Sequence, residues 1–279
     1  MADRALVLGG GGPVGGAWLT GMLAGLAEAG VDVGEADVVI GTSAGAVFGA
    51  RILCGVPARE LYERQLSGAD AIRLPVSWGQ TARFLWAALG SRDPQRSVER
   101  LARTALRARS GPESQVFDTV GRILGDTRDW PERELRVTAV DARTGQVETF
   151  DAHRGVTLLE AVAASCAVPV VWPPVTVAGR RWMDGGSRST ANLQLAHGSR
   201  RVLAIVPIPR AVGPHPSAPE QAAHLTEQGA RVALLTPDRT ARRTMGRDMA
   251  DAARQPDAAR AGRAQAARVA PTVAALWRN

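Results

Sequence analysis

The chain has 279 residues, of which 45% are hydrophobic and 30 are glycine, as expected for a globular protein with a substantial core. All 34 basic residues are arginine, and the chain has a formal net charge of +7 and an isoelectric point near 11.0. This preference for arginine over lysine is typical of a GC-rich genome. Because the arginines are scattered and no nucleic-acid-binding module occurs, the sequence argues against a nucleic-acid partner. An anionic lipid surface remains a candidate partner for the positive charge.

The first 55 residues alternate short apolar runs with glycine-rich turns. Apolar runs that end in glycines predict buried strands, and apolar residues at helical spacing predict helices. The predicted order is strand 5–8, glycine loop 9–12, helix 17–29, strand 36–40, tight turn 41–45 and helix 46–53. This order is typical of an α/β fold with a mainly parallel central sheet.

The rest of the chain continues the α/β pattern after a helical insertion. Residues 57–128 are rich in Arg, Ala, Glu and Leu and predict a helical cap. After it we predict strands at 135–141 and 146–150, a helix at 158–164, a proline-interrupted apolar segment at 168–177, a strand at 202–208, a proline-rich loop, a strand at 231–235 and one or two helices within 242–268. No repeat or linker interrupts the chain, so residues 1–279 are interpreted as a single domain.

The cellular location is predicted from what the chain lacks. No run of about 18 apolar residues occurs, and the first apolar run is too short for a signal peptide. Cys54 and Cys166 lack a metal-type spacing and are expected to be buried, reduced thiols. These features predict a cytoplasmic protein, and the positive charge adds peripheral contact with an anionic membrane surface as a hypothesis.

The turn Gly41-Thr42-Ser43-Ala44-Gly45 fits the pattern Gly-x-Ser-x-Gly. A sharp turn between a strand and a helix would expose the Ser43 hydroxyl, and glycines at both ends would remove Cβ atoms that collide in such a turn. The start of the following helix favours negative charge. The pattern therefore makes Ser43 a candidate nucleophile, with a small-residue packing turn as the alternative.

The loop Gly10-Gly11-Gly12-Pro13-Val14-Gly15 supports two hypotheses. Consecutive glycines can present backbone N–H groups to an oxyanion. The same residues also fit the dinucleotide-binding pattern Gly-x-Gly-x-x-Gly, which requires an acidic residue at the end of the second strand. Asp32 lies before that strand, so the cofactor hypothesis is the less favoured one.

A third element is Asp184-Gly185-Gly186. An aspartate followed by two glycines is commonly a turn residue that caps its own backbone. It could also be a general base if the fold brings its carboxylate within hydrogen-bonding distance of Ser43.

Together the three elements resemble the patatin-like phospholipase family, whose members carry the same blocks in the same order. Trp18 in the first helix and the segment 164–175, which includes Ala164-Ser165-Cys166-Ala167-Val168-Pro169, are further matches. The resemblance is firm over residues 5–55 and 160–192. It implies a three-layer α/β/α fold and an acyl hydrolase of phospholipase A or lysophospholipase type.

The resemblance also implies roles for individual residues. Ser43 would be the nucleophile, Asp184 the base of a dyad without histidine, and the oxyanion hole would consist of the N–H groups of Gly10, Gly11 and Gly12. The supporting motif positions are Gly15, Gly41, Gly45, Gly185 and Gly186. The substrate would be a lipid or another acyl ester, and neither a metal nor an organic cofactor is expected.

Two alternatives to a Ser–Asp hydrolase stay open. One is a Ser-His-Asp α/β-hydrolase, for which a histidine such as His197, His215 or His224 would have to complete the triad. The other is an inactive or regulatory binding protein of the same fold, because Val14 stands where many family members have Arg or Lys. The sequence gives no prediction of the oligomeric state.

The aromatic residues of the predicted cap also allow two interpretations. Trp78, Phe84 and Trp86 are expected to be helix core, and alternatively form an acyl pocket or a membrane-facing lip. The Arg-rich segment from residue 231 onward is expected to be a solvated helix face, with attraction to anionic headgroups as the alternative.

Overall fold

A computed structural model describes residues 2–72, 74 and 76–278 of the chain. Within these residues the strands are β1 (Arg4–Leu8), β2 (Val38–Gly41), β3 (Glu134–Asp141), β4 (Val147–Phe150), β5 (Val175–Val177), β6 (Arg180–Asp184), β7 (Arg201–Ile205) and β8 (Arg231–Leu235). The helices are α1 (Gly12–Glu28), α2 (Ala44–Leu53), α3 (Ala58–Ser67), α4 (Trp78–Leu89), α5 (Pro94–Leu106), α6 (Ser114–Leu124), α7 (Leu158–Cys166), α8 (Ala218–Glu227), α9 (Arg239–Met245) and α10 (Gln255–Arg278).

The strands form one sheet in the order β5-β6-β3-β2-β1-β7-β8, with β4 paired to β3. The pairs among β3, β2, β1, β7 and β8 are parallel, whereas β4, β5 and β6 join antiparallel. Parallel strands align their carboxyl ends at one edge, where α/β proteins commonly place a binding site. The predicted α/β fold with a mainly parallel sheet is confirmed.

Helices cover both faces of the sheet, which gives three layers. Alternation along β1 sends Leu6 and Leu8 into a large core with α1, α2, α7 and α10, while Ala5 and Val7 face α8 on the other side. This burial of both faces is the usual condition of a parallel sheet. None of the helices within the described part of the chain is both long and apolar enough to cross a membrane.

The region predicted as a helical cap forms α3, α4, α5 and α6, and these helices pack in different places. Residues of α3 and α6 join the large core, whereas Val98 and Ala102 of α5 contact Val140 and Met183 on the opposite face of the sheet. Helix α4 connects the two sides. The segment therefore wraps around the sheet rather than forming a separate lobe.

Several local predictions were incomplete. Helix α1 begins at Gly12 rather than near residue 17, because Pro13 fits the first helical turn. The chain enters this helix through Gly12, whose φ of +60° favours glycine. The hairpin of β5 and β6 was not predicted, and neither was α8, although Ser217 and Glu220 form a capping box at its start. The expectation that Cys54 is buried is wrong, since it lies exposed at the end of α2.

Candidate active site

Ser43 lies in a strained turn between β2 and α2, at the carboxyl edge of the sheet. Its backbone has a φ of 53° and a ψ of −119°, a combination that costs free energy in a residue with a side chain and is typical of a nucleophile elbow. A Cβ on Gly45 would lie 2.0 Å from the Leu8 carbonyl oxygen, and one on Gly41 would lie 2.5 Å from the Ala46 Cα. The chain can make this turn only with glycine at both positions.

Neighbouring polar groups hold the turn in place. The Ser43 N–H donates to Ser165 Oγ on α7 at 2.8 Å. The Thr42 and Thr138 hydroxyls lie 2.9 Å apart, and Asn192 Nδ2 donates to Thr42 Oγ1 at 3.0 Å. The three partners of the turn, Ser165, Thr138 and Asn192, are buried, where hydrogen bonds specify one arrangement because an unpaired group is costly.

Asp184 ends β6 and is only 4% exposed. Its carboxylate accepts the N–H of Gly186 at 2.6 Å, and Asp184 and Ser43 line the same cavity. Burial raises the pKa of Asp184 to about 6, against the lowering effect of the Ser43 side chain and the Gly186 N–H. The two residues singled out from separate motifs are therefore brought together, and the carboxylate is more basic than an exposed one.

Cys166, at the end of α7, is a second neighbour of Ser43. Burial raises the pKa of its thiol, and the Asp184 carboxylate adds to this increase, while a hydrogen bond with Ser43 opposes it. The thiol thus stays protonated at neutral pH and competes poorly as a nucleophile.

The glycine loop offers fewer free donors than the sequence predicted. The Gly10 N–H donates to the Thr190 carbonyl oxygen at 2.8 Å, so the prediction that it helps to hold an oxyanion does not fit this geometry. Within the described ranges, the N–H groups of Gly11 and Gly12 have no hydrogen-bond partner. Val14 is fully buried in the large core, where a charged side chain would need a partner.

The other motif glycines allow close packing around the site. A Cβ on Gly15 would lie 2.9 Å from Pro207 Cβ, and one on Gly185 would lie 2.3 Å from Thr138 Oγ1. A Cβ on Gly186 would lie 2.9 Å from Asp184 Oδ1. Side chains at these positions would displace the loop or the carboxylate.

Two apolar cavities meet at Ser43. The first, here called the α6 cavity, has about 660 Å³ of empty space including its mouth and is lined by Val47 and Phe48 of α2, Val120 and Ile123 of α6, and Trp172. The second, the α4 cavity, has about 840 Å³ counted in the same way. Its lining includes Gly11, Gly12, Phe84, Val168, Asp184, Ile208 and Met249.

The residues of the rival hypotheses lie elsewhere. None of the four histidines lines either cavity, within the part of the chain that the structure describes. His197 contacts Gln228, and His215 lines a separate cavity beside Arg188. Asp32 caps a turn before β2, its carboxylate accepting the Gly34 N–H at 2.8 Å, and so lies at the wrong end of that strand for a dinucleotide ribose.

Sequence reasoning missed part of the site. Ser165 was noted only as part of a family resemblance, Cys166 was noted there and as a reduced thiol but given no role at the site, and Thr138 and Asn192 were not noted at all. Asn192 carried a faint signal, because a non-glycine residue in the left-handed region is commonly asparagine; its φ is 52°. The others are ordinary residues in a helix and a strand, and only their neighbours give them a role.

Comparison with known proteins identifies the family of the chain. The family model described as "Patatin-like phospholipase" matches residues 6–197, and the chain therefore belongs to the patatin-like phospholipase family. Membership supports, at the family level, an acyl hydrolase that acts on lipid.

Solved structures add a similarity of fold. VipD from Legionella pneumophila is 13% identical with a TM-score of 0.50, the match covering 97% of this chain and 67% of VipD. The type III effector protein ExoU is 13% identical with a TM-score of 0.40, the match covering 97% of this chain and 53% of ExoU. Only the similarity to VipD is strong enough to support the fold. No curated protein sequence matches the chain.

Proposed function

We propose that the protein is a serine acyl-ester hydrolase of phospholipase A or lysophospholipase type that uses Ser43 and Asp184 as a catalytic dyad. The observation that carries the proposal is the buried Asp184 carboxylate, with a pKa raised to about 6, beside a serine held in a strained turn. A base with a pKa just below neutral is ionised at pH 7 and still accepts a proton readily. The dyad needs no histidine and no cofactor.

The geometry supports a two-step acyl transfer. The Ser43 hydroxyl oxygen attacks the ester carbonyl carbon while its proton passes to the Asp184 carboxylate. The carbonyl oxygen becomes an oxyanion that accepts the N–H groups of Gly11 and Gly12, aided by the positive end of α2. Asp184 then gives the proton to the leaving alcohol, and water repeats the sequence on the acyl-serine to release the acid.

The two cavities indicate the class of substrate. Their walls are mainly aliphatic and aromatic, so they favour long apolar groups over sugars or peptides. An ester bond at Ser43 would place its acyl chain in one cavity and its alcohol part in the other. We include in the proposal a lipid substrate and peripheral contact with an anionic membrane.

Labelling with a fluorophosphonate probe, read by intact mass, tests the nucleophile. We expect one adduct on the wild-type protein and none on the Ser43→Ala variant. Ser187→Ala is a matched control, because Ser187 lines the same α4 cavity and its hydroxyl has no hydrogen-bond partner among the residues that the structure describes. This variant should keep the adduct. Hydrolysis of a 4-nitrophenyl acyl ester should follow the same pattern.

Two results would contradict the proposal. Absence of an adduct on folded wild-type protein, with detergent or vesicles present, would favour a binding protein without catalysis. An Asp184→Asn variant that keeps most of its esterase activity would show that another group takes the proton from Ser43.

A further inference from the structure

Helix α4 presents an apolar face to solvent. Trp78 is 91% exposed, Trp86 67%, Leu89 63% and Leu85 42%. Their spacing places them on one side of the helix, while Ala87 and Ala88 are buried on the other. A helix at a protein surface normally turns polar residues outward, so this face is suited to an apolar environment.

The same helix forms a wall of the α4 cavity. Phe84, on the inner side of α4, lines the cavity together with Val168 and Ser43. At the start of the helix, Gln80 Nε2 donates to the Val170 carbonyl oxygen at 3.2 Å, which fixes α4 to the segment that forms another side of the cavity. The exposed apolar face therefore borders the route to Ser43.

The charge around this face is strongly positive. Residues 83–109 contain seven arginines and two acidic residues, a net charge of +5. Arg83, Arg92 and Arg96 are exposed, and the Arg100 guanidinium stacks on the Trp86 ring at 4.7 Å. Tryptophan favours the boundary between lipid chains and headgroups, and arginine attracts anionic headgroups. The pattern fits a lipid bilayer better than an apolar protein surface.

We propose that the outer face of α4, formed by Trp78, Leu85, Trp86 and Leu89, docks on an anionic lipid bilayer. In that orientation a lipid enters the α4 cavity from the membrane and reaches Ser43 without crossing water. The delivery step rests on the proposed hydrolase function, whereas the docking itself does not. The apolar stripe would enter the headgroup region, and the arginines of α4 and α5 would contact lipid phosphates.

Vesicle co-sedimentation of the full chain tests the docking face. The vesicles are phosphatidylcholine with and without phosphatidylglycerol, at low and high salt. We expect the double variant Trp78→Ser/Leu85→Ser to bind mixed vesicles at least about tenfold more weakly than wild type. Arg83→Glu should weaken binding by about tenfold at low salt, with a smaller effect at high salt.

Arg231→Glu is the matched charge control. Arg231 is exposed and begins β8, at the edge of the sheet opposite to the strand ends that carry Ser43. This variant should bind vesicles like the wild-type protein. Circular dichroism and thermal unfolding of every variant check that each has folded.

An activity assay separates docking from catalysis. The double variant should hydrolyse a short, water-soluble ester at the wild-type rate and lose at least about tenfold of its rate on vesicle phospholipid. If no ester is hydrolysed by any variant, the proposed function fails, while the vesicle-binding result still decides the docking face. Equal vesicle binding by wild type and double variant would overturn the docking proposal. So would a wild-type dimer that this double variant dissociates, because the face would then pair two copies of the chain.

Discussion

Replacing Asp184 with asparagine should stabilise the folded protein while it removes the proposed base. Burial raises the pKa of Asp184 from 3.8 to about 6, so the folded state binds its proton more tightly than the unfolded state does. At a pH above both pKa values the carboxylate is charged in the folded and in the unfolded protein, and burying this charge lowers the free energy of unfolding. A shift of about two pKa units corresponds to roughly 3 kcal/mol.

The sign of the pH dependence follows from this difference. Between pH 4 and pH 6 the folded state holds more protons than the unfolded state, so the contribution of Asp184 to stability falls as pH rises. Below about pH 4 Asp184 no longer changes the free energy of unfolding, and above about pH 6 it lowers that free energy by the full amount. Asparagine has no such cost, and its side-chain oxygen can still accept the Gly186 N–H, which in the wild type lies 2.6 Å from Asp184 Oδ1.

Urea unfolding of the wild type and of Asp184→Asn at several pH values measures the effect. The variant should be more stable by up to about 3 kcal/mol at pH 8, and the difference should shrink towards zero near pH 4. Other groups titrate equally in both proteins and cancel in the comparison. A stability difference that stays constant between pH 4 and pH 8 would refute a raised pKa of Asp184, and with it the physical basis of the dyad.

Three further predictions follow from the same structure. The kcat/KM for ester hydrolysis should rise with pH through about 6, because Asp184 must lose its proton before it can act as the base. A kcat/KM that is constant from pH 5 to pH 8 would contradict this. Gly21→Ala should destabilise the fold by at least about 1–3 kcal/mol, since its Cβ would lie 2.0 Å from a backbone oxygen of α10. Gly79→Ala on α4, whose Cβ would meet only Ser77 Oγ at 3.9 Å, should stabilise the fold by about 0.5–1 kcal/mol in thermal or urea unfolding. Asp70→Asn should cost about 3–5 kcal/mol, because it leaves the buried Arg51 guanidinium without the carboxylate that lies 2.7 Å away; an unchanged urea midpoint would show that the ion pair is not needed.

The Ser43 turn and the catalytic arrangement differ in what they require of the chain. The turn depends on backbone geometry between adjacent elements, so glycines at positions 41 and 45 were enough to predict it. The order of the first strands and helices was predictable for the same reason, because apolar periodicity and glycine stops are local signals. The helix that follows Ser217 was missed although its capping box is also local, because the prolines around it are equally typical of a loop.

The pairing of Ser43 with Asp184 could be inferred only from the order of three motifs, and its chemistry depends on contacts between distant segments. A carboxylate in an Asp-Gly-Gly turn has an ordinary pKa when exposed, and only its position at the end of β6, covered by the rest of the fold, makes it basic. The candidate oxyanion donors likewise depend on a distant residue, because the Thr190 carbonyl oxygen accepts the N–H of Gly10 and leaves those of Gly11 and Gly12 as the proposed donors. Asp184 is buried by the fold, whereas Trp78 and Trp86, which were expected to be helix core, are left exposed. Which side of α4 is buried depends on how the helix packs in the fold and not on the sequence of the helix alone. Local backbone patterns thus determined the turn and the candidate residues. Packing by remote parts of the chain decided the basicity of Asp184, the candidate oxyanion donors and which side of α4 is exposed.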